Sequence, residues 1–172
     1  MNESNQEEYS LLGHRVTPLD RKTISRYIDN LLGKDVLNID VTLPPEKIIS
    51  NIIDTLSDKF SITISIEENH TWNFLTAGIA DTETMTAYIP ESIYEGVCKE
   101  DYDSIHTVLH EIGHLLLFHK PVLHDEKSAK PTKEEDAEWQ ANTFADIFME
   151  KVFSWKLKGY QYSIDFYWTT DY

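Results

Sequence analysis

Residues 106–119 read HTVLHEIGHLLLFH, and the rest of the fold is organised around them. Ile105, Val108, Leu109, Ile112, Leu115 and Leu116 recur at helical spacing, which predicts a helix from about Tyr102 to His119, with Pro121 just beyond it. Residues four apart lie one turn apart on one face, so His110 and His114 can aim their imidazoles at a single ion. Glu111 stands about 100° round from His110 and can reach a water on that ion without ligating it. Neutral imidazole suits Zn²⁺, which takes nitrogen and oxygen donors in a tetrahedral array. Three protein ligands with one open position make a catalytic site rather than a structural one. The plain alternative is a surface helix with solvated histidines.

A third ligand must come from elsewhere. The HExxHxxGxxH spacing would need glycine at 117 and histidine at 120, where the chain has Leu117 and Lys120; that class is excluded. His106, His119 and His124 are candidates with ordinary readings. His106 could merely flank the site, His119 could answer the helix macrodipole, and His124 lies in a polar loop. Glu138 fits better. A further helix is expected to open near Thr132, with Glu135 three residues on, and to carry Ala137, Ala141, Phe144, Ala145, Phe148 and Val152 on one side. Glu138 lies beside that stripe, and a carboxylate turned toward a core needs a partner, which a metal ion would supply. Otherwise it sits at the boundary with its head in water. Ala141 and Ala145 would allow close approach to the HExxH helix. Asn142, one turn after Glu138, could orient a ligand or act as an ordinary packing amide.

Toward the N-terminus, residues 1–16 show no periodicity and read as a flexible lead-in to a single domain over residues 17–172. Thr17-Pro18-Leu19-Asp20 predicts a helix start with Thr17 as N-cap, followed by the stripe Ile24, Tyr27, Ile28, Leu31 and a stop at Gly33. A second helix is expected from Pro44-Pro45-Glu46 to about Leu56, burying Ile48, Ile49, Ile52, Ile53 and Leu56. The period then changes to two at Ile62, Ile64 and Ile66. Short strands at about Thr76–Ala80 and Met85–Ile89 would complete a small antiparallel sheet. At the other end, Tyr160, Tyr162, Ile164, Phe166 and Trp168 alternate with polar residues and predict a C-terminal strand.

Composition narrows the function classes. The 172 residues hold 15 Lys and Arg against 30 Asp and Glu, a formal net charge of −15. A chain that acidic repels phosphate backbones and anionic lipid, so direct nucleic-acid or membrane binding is disfavoured. The longest uninterrupted apolar run, Leu115 to Phe118, is four residues, far short of the roughly 20 needed to span a bilayer. The start of the chain lacks the basic and apolar segments of a secretory signal. The lone cysteine, Cys98, agrees with a reducing compartment. A cytoplasmic protein is the simplest expectation.

HTVLHEIGHLLLFH (106–119) followed by EWQANTFADIFM (138–149) resembles the ImmA/IrrE family of bacterial metallopeptidases. Members share an HExGH-type helix and then a glutamate in an E-x-x-A-N-x-F-A stretch, matched here from Glu138 to Ala145. The resemblance implies a zincin-like α+β fold: N-terminal helices, a small antiparallel sheet, and an HExxH helix packed on a glutamate-bearing one. It implies Zn²⁺ held by His110, His114 and Glu138, with Glu111 as catalytic base, and cleavage of helix-turn-helix repressors of mobile elements or stress responses. The chain departs from the family at Asp146-Ile147-Phe148-Met149-Glu150, where many members have a proline-containing ending, and in its aromatic C-terminal segment. A zinc hydrolase of another substrate and a silent binding protein are the alternatives.

Overall fold

The computed structural model describes residues 9–123 and 129–153. The chain runs α1 (Arg21–Leu31), α2 (Pro45–Phe60), β1 (Thr63–Glu67), a short 3₁₀ turn, β2 (Ile79–Asp81), β3 (Thr86–Pro90), α3 (Glu91–Cys98), α4 (Tyr102–Leu116), a second 3₁₀ turn (Lys133–Glu135) and α5 (Ala137–Phe153). It is an α+β fold. Helix α5 is buried around most of its circumference, from Ala137, Gln140 and Ala141 to Val152 and Phe153, as a central helix must be. α4 packs along it, while α1 covers another face. Ile24 and Ile28 of α1, Ile48, Ile49 and Ile52 of α2, and Ile105 and Leu109 of α4 share one core with Phe144 and Phe148.

The two central helices meet at Gly113. A β-carbon there would fall 3.1–3.2 Å from the Phe144 side chain, tighter than ordinary van der Waals contact. Gly113→Val should therefore cost about 1–3 kcal/mol by overpacking, despite removing a helix-weakening glycine. Urea denaturation reads this directly; an unchanged midpoint would mean that the helices have room to part.

The sheet differs from the antiparallel expectation. Its order is β1-β3-β2; β2 pairs with β3 antiparallel, but β1 pairs with β3 parallel, with Ser65 opposite Tyr88. Alternation reports which face of a strand is buried, not the direction of its neighbour. The alternation itself is also imperfect, for Ile62 is buried and Ile66 is exposed. A turn forms at Asp81, whose carboxylate accepts from the Glu83 and Thr84 backbone. Helix α3 escapes the periodicity because eight residues bury only Val97.

Helix ends shift too. The N-cap of α1 is Asp20, whose carboxylate accepts from Thr23 N at 2.7 Å, and not Thr17. α4 stops at Leu116, short of His119, and Phe118 adopts a left-handed φ of 52°. Thr132 and Glu135 open the 3₁₀ turn, and α5 starts two residues later, at Ala137. Residues 9–16, part of the expected lead-in, make specific contacts. Val16 N donates to Glu135 O, Arg15 pairs with Glu135 at 2.7 Å, and just beyond the segment Leu19 N donates to Glu134 O. Such a strap is held by hydrogen bonds rather than by an apolar stripe, so periodicity does not reveal it. The expected strand at Tyr160–Trp168 lies outside the described residues.

Candidate metal centre

α4 places His110 and His114 one turn apart on the face turned to α5, and α5 presents Glu138 from its first turn. The three side chains converge. His110 Nε2 lies 3.0 Å from His114 Nε2 and 3.2 Å from Glu138 Oε2, and His114 Nε2 lies 3.5 Å from Glu138 Oε1. Ligands about 2.0–2.1 Å from a tetrahedral ion stand about 3.4 Å from one another, so these spacings suit one Zn²⁺-sized ion. The donor set, two imidazole nitrogens and a carboxylate, is the chemistry such an ion takes. The charges respond to the same crowding. The His110 and His114 imidazoles hold the Glu138 carboxyl well below its usual range. Burial alone would lower His110, but Glu138 and Glu111 raise it overall; for His114 burial prevails and the imidazole is held low.

A second layer surrounds the cluster. Asn142 Oδ1 lies 2.9 Å from His110 Nδ1. His119 Nδ1 lies 2.7 Å from His114 Nδ1, and His119 Nε2 lies 3.0 Å from Gln140 Oε1. Burial, with His114 close by, pushes the His119 imidazole down to about 3, so it is neutral. His14, from the strap, hydrogen-bonds His119 O through Nε2 at 3.1 Å. His106 pairs with Asp146 at 3.0 Å and stacks beside Tyr102.

Glu111 faces a cavity of about 530 Å³ that it shares with His106, His110, His114, Glu138 and Asn142. Only 6% of its surface is exposed. The backbone at Gly78 crosses so closely that a β-carbon there would fall 2.7 Å from the Glu111 carboxylate. Burial pushes this carboxyl up to about 7; His110 opposes the shift and Glu138 adds to it. A carboxyl poised near neutrality suits proton transfer. A second cavity of about 750 Å³, walled by Trp72, Phe74 and Tyr88, adjoins at His14, Ile79, Ala80 and His114.

Of the alternative third ligands, His106 lines the cavity outside the cluster and His119 touches His114 from behind. His124 lies outside the described residues. Sequence reasoning missed His14, which lines both cavities, and Gln140. His14 falls in a non-periodic segment. Gln140 carried one usable signal, a polar residue among the buried positions of α5. Among the described residues no helix is long and apolar enough to cross a membrane.

No curated protein and no solved structure matches the chain significantly. The family model of the IrrE N-terminal-like domain, peptidase M78, matches residues 60–160. That span is more than half of the chain, runs from β1 through α5, and contains the whole histidine–glutamate cluster together with Glu111. Over the segment that builds the candidate centre, the chain belongs to the IrrE N-terminal-like, M78 metallopeptidase family.

Proposed function

We propose that the protein is a zinc-dependent endopeptidase that cleaves a helix-turn-helix repressor. The observation that carries the reading is the convergence of His110, His114 and Glu138 beside a buried carboxyl in an open cavity. Zinc, when bound, supplies Lewis-acid chemistry: it acidifies water toward a pKa of about 7 and draws charge from a carbonyl oxygen. His110, His114 and Glu138 hold it. Glu111, outside this set, takes the proton from the attacking water and passes it to the leaving amine. His106 lines the same cavity with Nε2 held by Asp146, and as an imidazolium it would donate through Nδ1 to a substrate oxygen where negative charge develops.

Charge supports the substrate class. A protein of net charge −15 attracts the basic DNA-binding face of a repressor and is repelled by DNA, so free repressor is the favoured target. Such an encounter belongs in the cytoplasm. Two measurements test the reading. Chelator-washed protein given zinc should retain about one ion per chain, and His114→Ala should retain little; equal retention by both would remove the metal centre. Incubation with a co-encoded helix-turn-helix regulator should release fragments, read by mass spectrometry, with wild type and not with Glu111→Gln. An intact regulator beside zinc-loaded wild type would leave a metal site with another substrate.

A further inference from the structure

We infer that His119 and Gln140 are positioning residues that fix His114 as the tautomer whose Nε2 is free to bind a metal ion. The inference rests on the metal-centre reading and assigns roles to two residues outside the ligand set. The relay starts at Gln140, none of whose surface is exposed. Its Nε2 faces two backbone carbonyls, Thr17 O at 2.8 Å and Glu134 O at 2.6 Å. Carbonyls only accept, so the amide nitrogen must point there and Oε1 must point the other way. Oε1 in turn can only accept, and its neighbour at 3.0 Å is His119 Nε2. His119 Nε2 therefore carries a proton, and in the neutral imidazole, the ordinary form of histidine above about pH 7, that leaves Nδ1 as a lone pair. That lone pair meets His114 Nδ1 at 2.7 Å, so His114 must carry its own proton on Nδ1.

The consequence lies on the opposite side of the ring. With its proton on Nδ1, His114 presents a lone pair at Nε2 toward Glu138 and His110. His110 is held the same way, since Asn142 Oδ1 accepts from its Nδ1 at 2.9 Å. Two imidazole Nε2 atoms 3.0 Å apart and a carboxylate then face one space, an arrangement that a single cation, proton or metal ion, satisfies. The relay runs from the strap and the 3₁₀ turn, through α5 and the bend after α4, to the ligand. Its members are far apart in the chain, from Thr17 to Gln140, so it also ties the cluster's orientation to the tertiary fold.

Long-range ¹H–¹⁵N spectra of the metal-free wild type at pH 8 should place protons on His114 Nδ1 and His119 Nε2. A proton on His114 Nε2 would overturn the assignment, whether or not the protein binds zinc. Zinc affinity, measured by chelator competition, gives the second test. His119→Leu keeps bulk but removes the acceptor and should weaken binding about 10–100-fold. His119→Asn sets a side-chain carbonyl where Nδ1 stood and should recover most of the loss. Equal affinity of His119→Leu and wild type, or equal loss in both variants, would show a packing role only and overturn the proposal. If wild type and His114→Ala bind zinc equally, the functional reading fails instead, and the spectra alone decide the relay.

Discussion

Glu111→Gln should cut peptide hydrolysis about 10²–10⁴-fold while leaving the bound metal in place. The amide fills the same volume against Gly78 but cannot take a proton, and it lies outside the cluster formed by His110, His114 and Glu138. The two readouts separate base from ligand. Lost activity with full metal content supports the base; lost metal would make Glu111 a ligand and reassign the site. The same substitution should act on stability with the opposite sign. In the metal-free protein burial moves this carboxyl from 4.5 to about 7. Between those values the folded state keeps a proton that the unfolded chain has released, so wild-type stability falls as pH rises through that window. The gap converts to about 3 kcal/mol. Metal-free Glu111→Gln should thus be more stable than wild type by about 2–3 kcal/mol at pH 8, with the extra stability vanishing by pH 4. Urea denaturation in the presence of chelator measures both ends. A difference that does not change with pH would mean that Glu111 ionises without penalty.

What the sequence discloses here follows from which forces are local. The spacing of His110 and His114 is a property of one helix, and the apolar stripe around them names the buried face, so both were readable in advance. Glu138 was readable for a related reason: small residues at Ala141 and Ala145 signal a close helix contact, and both are fully buried. The second layer was not. His119 reaches His114 because α4 ends at Leu116 and Phe118 turns left-handed, letting His119 N donate to His114 O at 3.1 Å. A continued helix would have carried His119 to another face. Likewise Asp146, visible only as a departure from the family pattern, proves to hold His106 across 40 residues. The parallel β1–β3 pair depends on how the intervening loop crosses, which no alternation encodes. Contacts of this kind exist only after the helices dock.

Asp136→Ala should cost about 3–5 kcal/mol and weaken the metal centre with it. No surface of Asp136 is exposed, yet its carboxylate accepts four hydrogen bonds. Oδ2 takes Tyr9 Oη at 2.7 Å and Leu12 N at 2.6 Å; Oδ1 takes Gly13 N at 3.1 Å and Glu138 N at 3.0 Å. Burial works against this charge, but the donors from Leu12, Tyr9, Gly13 and Glu138 more than offset it and hold the carboxyl below its ordinary range. The residue stands just before α5, caps it through Glu138 N, and fastens the strap whose Gly13 packs on the Glu138 side chain. Alanine leaves three backbone N–H groups and a phenol without their acceptor. Asparagine keeps one oxygen, but its NH₂ must face a backbone donor that it cannot pair with, so Asp136→Asn should fall between alanine and wild type. Tyr9→Phe removes a single bond and should cost about 1 kcal/mol. The ordering across the three variants is the test. If Asp136→Ala proves no more destabilising than Tyr9→Phe, the strap is held by its other contacts and Glu138 does not depend on it. If the order holds and zinc affinity falls with stability, the N-terminal strap is part of what aims the carboxylate at the histidines.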